Sequence, residues 1–286
     1  MPYQLPDYTA PDTKGEHIAR QFKSLAQQLA DSPNETTALT WGYEIESNTM
    51  GEVRANCAND AGLEWQQDGS VTDYYGGDCD CCCDDCNHNC NCDYCDRADY
   101  DEHCGNSDCS GTQEVASVGG LTDTHPASLQ ALADAGINDA TYETDCGIHI
   151  HIGSAHLTAP QIANIMTAYR LAQPVLNYIA QRVGTHFAQN HTDEHETQAR
   201  QGLEPSSRYY AVNVANHFKT YGTKTIEFRQ MAGSQDTDHE TPQADRVRAW
   251  AYILRALVTY ASQPAPSLYW LTRAKDLNDL LKLIHA

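Results

Sequence analysis

Three short segments of this chain alternate between apolar and ionisable side chains, and that alternation constrains the fold more than any other feature. In LTWGYEIES, Leu39, Trp41, Tyr43 and Ile45 interleave with Thr40, Gly42, Glu44 and Glu46. In CGIHIHIG, Ile148, Ile150 and Ile152 interleave with His149 and His151, and TIEFR sets Glu227 and Arg229 around Phe228. A period of two puts alternate residues on opposite faces of a β-strand. Each segment therefore predicts a strand with one apolar face and one face carrying two polar groups about 7 Å apart. The apolar faces have to be buried, so the polar pairs share the opposite surface of a sheet. An ordinary solvent-facing strand is also polar at every second position. Pairs of Glu, His and Arg recurring on strands otherwise poor in charge set these apart.

The remaining pattern supplies further strands and a helical layer. Ile18, Phe22, Leu25 and Leu29 predict a helix over 16–29, broken by Asp31, Ser32, Pro33 and Asn34. Short strands are expected at 63–66, 113–118, 209–214 and 224–230, and a short helix at 128–135 stopped by Gly136. Thr158 and Pro160 open a long helix with an expected kink at Pro174, and helices are predicted at 245–261 and 277–284. The polar stretch HFAQNHTDEHETQ, with His186, His191, Glu194, His195 and Glu196, reads as a solvated loop folding over substrate. Tyr169, Tyr178, Trp250, Tyr252 and Tyr260 sit at helical spacings and read as packing residues. Strands separated by long stretches and flanked by helices give an α+β class, an antiparallel sheet with helices on one face. Residues 1–38 form a helical lead-in and 39–286 the main domain, with an insertion at 76–111.

Charge and hydropathy exclude several functions. The net charge of −21 leaves no basic footprint for a phosphate backbone, so nucleic acid is not the expected partner. No apolar run approaches the roughly 18 residues of a membrane helix, and no membrane partner is expected. The first residues, MPYQLPDYTAPDTKGEH, lack a basic and an apolar region, which predicts a cytoplasmic location.

The insertion has its own chemistry. Ten of the chain's 12 cysteines fall between Cys79 and Cys109, in a segment almost free of large aliphatic residues. Such a stretch cannot bury a core, and in a reducing compartment metal binding is the expected source of order. Cys83-x2-Cys86 and Cys92-x2-Cys95 are chelating pairs. Cys79, Cys81, Cys82, Cys90, Cys104, Cys109, His88 and His103 complete twelve potential ligands for structural Zn²⁺. The ferredoxin C-x2-C-x2-C run that would suggest an iron–sulfur cluster is absent.

On the sheet, oxygen donors with an occasional imidazole suit Mg²⁺ or Mn²⁺, and an arginine beside them suits phosphoryl oxygens. The ordered motifs GYEIE (42–46), QDGSV (67–71), EVAS (114–117), CGIHIH (146–151), SRYYAVN (207–213) and TIEFR (225–229) resemble the amidoligase family. That family belongs to the glutamate–cysteine ligase superfamily, and the resemblance spans about Thr40 to Tyr260. It implies a bent antiparallel sheet like that of glutamine synthetase. It also implies an ATP-dependent carboxylate–amine ligase that forms an amide through an acyl phosphate, releasing ADP. Glu44, Asp68, Glu114 and Glu227 match acids that hold magnesium, and Glu46 matches a further acid of the first strand. His149 matches a histidine near metal or phosphate, with His151 beside it, and Arg229 matches the phosphate-facing arginine. Arg208 and Asn213 fall in a motif expected to contact nucleotide or substrate. The expected substrates are a small-molecule or peptide carboxylate and an amine. The cysteine-rich insertion and the N-terminal segment depart from the family pattern.

Two alternative functions fit the same residues. One is a phosphotransferase on the same sheet, and the other a non-catalytic, zinc-stabilised binding protein. An intact acid set speaks against the second, because loss of catalysis releases those positions.

Overall fold

The structure, a computed structural model, describes residues 13–31, 39–47, 63–67, 113–117, 125–139, 146–182, 188–204, 207–221, 224–233 and 241–285. The expected insertion at 76–111, with all of its candidate zinc ligands, lies outside these residues, as does Asp68.

Among the described residues, six strands form one sheet in the order β2-β3-β1-β4-β6-β5, and every neighbouring pair is antiparallel. They are β1 (Trp41–Ser47), β2 (Leu63–Gln67), β3 (Gln113–Ser117), β4 (Gly147–Gly153), β5 (Val212–Asn213) and β6 (Thr225–Ala232). The three alternating segments become the adjacent central strands β1, β4 and β6. In their register Tyr43 stands opposite Ile150 and Ile45 opposite Ile148, and Ile150 in turn faces Phe228. The apolar residues are thus brought onto one face.

That face is covered by helices. They are α1 (Thr13–Asp31), α2 (His125–Asp134), α3 (Ala159–Ala180), α4 (Asp193–Arg200), the single turn α5 (Ala215–Phe218), α6 (Gln243–Ala261) and α7 (Leu277–Ile284). Ile162, Ile165, Met166 and Tyr169 of α3 and Val247, Trp250, Ile253 and Leu254 of α6 are buried in one cluster with Ile148, Ile150, Ile152 and Phe228. Tyr169 lies 5.4 Å from Phe228, ring centre to ring centre, and its hydroxyl donates to Gln230 Oε1 at 2.6 Å. Ile18, Phe22, Ala26 and Leu29 bring α1 into the same core. The sequence thus divides its strands between a greasy underside and a polar upper face, and the helices occupy the greasy one.

Some boundaries differ from the sequence reading. The strand expected at 209–214 shortens to Val212–Asn213. The stretch read as a polar loop instead contains the helix α4, opened at Thr192, whose backbone N–H donates to His195 Nδ1 at 3.0 Å. Its inner face is ordered by ion pairing: Arg170 Nε donates to Glu196 Oε1 at 2.6 Å, Thr167 Oγ1 to Glu196 Oε2 at 2.6 Å, and His191 is buried against Met166 O at 2.8 Å. These local contacts stabilise a helix that hydrophobic periodicity does not announce.

Candidate active site

The polar face of the central strands carries the site. Glu44 is registered opposite His149, and Gly42 opposite His151. His151 in turn stands opposite Glu227, which stands opposite Asn213 of β5. β6 bulges where it passes His149: Phe228 pairs with Ile150 and Met231 with Ile148, so Arg229 and Gln230 share one partner position.

The side chains converge. His149 Nδ1 donates to Glu44 Oε2 at 3.0 Å and lies 3.4 Å from Glu227 Oε1, while its Nε2 is 3.4 Å from Glu46 Oε1. His151 Nε2 is 2.9 Å from Glu44 Oε1. Asn213 Nδ2 donates to Glu227 Oε2 at 2.6 Å, and its own Oδ1 accepts from the Ala215 backbone N–H at 3.0 Å, which fixes the amide orientation. Arg229 Nη1 donates to Glu227 Oε1. Glu46, His149, Glu227 and Arg229 are all buried.

Burial opposes the charged forms of Glu44 and Glu227, and the neighbouring cations override it. Glu44 is held well below the usual carboxylate range: burial raises it, but both histidines lower it further. Glu227 is likewise lowered, with His151 and Arg229 outweighing burial. Burial alone pushes His151 down, yet contact with Glu44 and the charge of Glu227 raise it to about 9. The Glu44 and Glu227 carboxylates are thus balanced by Arg229 and a protonated His151.

The residues fit a divalent cation. Glu44, His151 and Glu227 offer ligand atoms all within 4.8 Å of one another. His151 Nε2 is buried without a hydrogen bond although a carboxylate oxygen lies 2.9 Å away, so the two atoms approach off the hydrogen-bond axis. Donors drawn together without pointing at each other suit a shared cation. Two carboxylates and one imidazole are donors that a divalent cation accepts.

Of the residues singled out in the sequence, Glu44, Glu46, His149, His151, Asn213, Glu227 and Arg229 meet in this cluster. Glu114 is placed by register opposite Glu46 on β3. Arg208 stands apart from the cluster's contacts; it is exposed, and its guanidinium lies over the Tyr209 ring at 5.2 Å.

Sequence reasoning missed Arg182 and Gly147. The α3 helix ends at Gln181, whose left-handed backbone (φ 59°) turns the chain back toward the sheet, where Gln181 bridges to Met231. Arg182 follows and is buried at 3 % exposure, with Nη1 3.5 Å from Glu46 Oε2. It lies against Gly147, where a Cβ would come within 1.8 Å of that nitrogen. No periodicity marks Arg182, because its place depends on a chain reversal. Gly147, opening a strand of bulky residues, carried the signal of a close approach.

No protein-family model matches the chain, and no curated protein matches its sequence. No helix among the described residues is long and apolar enough to cross a membrane.

Proposed function

We propose that the protein is an ATP- and magnesium-dependent carboxylate–amine ligase on a bent, glutamine-synthetase-like sheet, forming an amide through an acyl phosphate. One observation carries the reading. Glu44 and Glu46 meet Glu227, which is distant from them in sequence, together with His149, His151 and Arg229 on the sheet face opposite the helical layer.

Glu44, His151 and Glu227 would hold the cation, whose charge offsets that of the nucleotide phosphates and the acceptor carboxylate. Arg229 supplies a fixed positive fork for phosphoryl oxygens. Asn213 holds the Glu227 carboxylate in place, and His149 links Glu44 to Glu46 and Glu227, so the acids form one rigid set before substrate arrives. His151 would give up its proton to serve as a ligand. The chemistry needs no covalent nucleophile. Cys146 is fully buried just ahead of β4.

The test is a screen for amine-dependent ADP and phosphate release, with mass detection of a product that gains an amide. Glu227→Gln is expected to lower turnover at least 100-fold while circular dichroism stays unchanged. Release of AMP and pyrophosphate would overturn the reading in favour of an adenylating enzyme.

A further inference from the structure

A second, chemically opposite site lies on the helical side. A cleft of about 970 Å³ opens between α1, the middle of α3 and the turn leading from the 3-10 helix Leu268–Arg273 into α7. None of its described lining residues belongs to the sheet. The volume is that of a small-molecule site.

Its charge runs against that of the chain. Lys14, Arg170, Arg273 and Lys275 line it, four of the protein's 18 Lys and Arg residues. Asp276 is the one carboxylate among the described lining residues, a formal excess of three positive charges in a chain of net charge −21. The partnerships within the cleft are unequal. Arg170 is committed to Glu196 and Asp193, and Asp276 caps α7 and faces His17 at 3.3 Å. Arg273 and Lys275 have no carboxylate partner among the described residues. Both are exposed.

Arg273 is also held in place. Its guanidinium lies 4.0 Å from the centre of the Trp270 ring and 5.7 Å from that of Tyr269. Stacking fixes the plane of the guanidinium and leaves its N–H edge available for a bidentate anion. Lys14 is positioned over the Tyr178 ring, 5.5 Å from its centre. Leu171, Pro174 and Ala274 give the cleft an apolar wall beside these cations.

We propose that this cleft binds a small organic polyanion, phosphoryl-bearing or polycarboxylate, gripped by Arg273 and Lys275 with Lys14 opposite and an apolar body against Leu171 and Pro174. The site is independent of the acidic cluster on the sheet. In an acidic protein, an isolated cationic cleft is where the potential favours an anion.

The test uses the full chain in buffer freed of divalent cations on a chelating resin, with no soluble chelator, so the acidic site lacks the cation it would need to hold phosphate. Calorimetric titrations with pyrophosphate and with citrate separate the two ligand chemistries. Saturable binding of about one equivalent is expected with at least one of them, weakening as ionic strength rises. The exposed double variant Arg273→Gln/Lys275→Gln is expected to weaken it at least tenfold, and Glu227→Gln to leave it unchanged. Binding of pyrophosphate alone assigns a phosphoryl ligand, and binding of citrate alone a polycarboxylate. Absence of saturable binding with both probes, or binding that the double variant retains, overturns the proposal.

Discussion

Replacing Gly147 with alanine tests how the buried arginine is seated. A Cβ at this position would lie 1.8 Å from Arg182 Nη1, 3.0 Å from its Cζ and 3.0 Å from Glu46 Oε2. The backbone there is not in the left-handed region, so alanine introduces no conformational strain and the whole effect is steric. The guanidinium is the far end of a long side chain and can swing away. What is lost is then the charge pairing of a carboxylate only 1 % exposed. Breaking a buried ion pair costs on the order of 3–5 kcal/mol. Glu46 keeps its approach to His149, 3.4 Å away, and alanine in a strand regains roughly 0.5–1 kcal/mol of chain entropy over glycine. The expected net loss is about 2–4 kcal/mol. Urea unfolding should show a lower midpoint at an unchanged m-value. Because Arg182 is already displaced in Gly147→Ala, adding Arg182→Met should cost much less than it does alone. If Gly147→Ala unfolds within about 0.5 kcal/mol of the parent, the guanidinium does not occupy this notch and the reasoning fails.

Two further outcomes test other parts of the molecule. Glu196 is held down to about 2: burial raises its pKa, but His191, Arg170 and Thr167 lower it more. Its folded pKa is below its unfolded one, so its contribution is complete above about pH 4.5 and is lost as pH falls toward 2, on the order of 2–3 kcal/mol in all. Stability measured against pH should have a flatter acid limb in Glu196→Gln; an unchanged limb would refute the assignment. The segment from Cys79 to Cys109 is expected to retain at least one zinc per chain, by elemental analysis of protein purified without added zinc. Disulfides and no metal in reduced protein would refute both the zinc and the cytoplasmic placement.

Strand identity and the division of faces were legible in the sequence because side-chain direction in a strand is a local property with a period of two. Ile148, Ile150 and Ile152 had to point away from His149 and His151 whatever the rest of the chain did. The helices at 243–261 and 277–284 were readable for the same reason at a period of 3.6, and Gly136 (φ 100°) stops α2 as its lack of a side chain suggested. The α4 helix was not legible, because ion pairs from Arg170 on another helix, rather than an apolar stripe, hold its inner face. Tertiary structure alone decided strand order, which brings β6 next to β4 and puts Glu227 beside His151. It also decided the bulge at Arg229 and Gln230, and the reversal at Gln181 that delivers Arg182 to Glu46. The cationic cleft belongs to the same class: Lys14, Arg170 and Arg273 have no shared periodicity, and they become neighbours only because α1, α3 and the turn before α7 pack together. Local chemistry fixes which way a side chain faces, whereas the company it keeps depends on contacts between residues far apart in the chain.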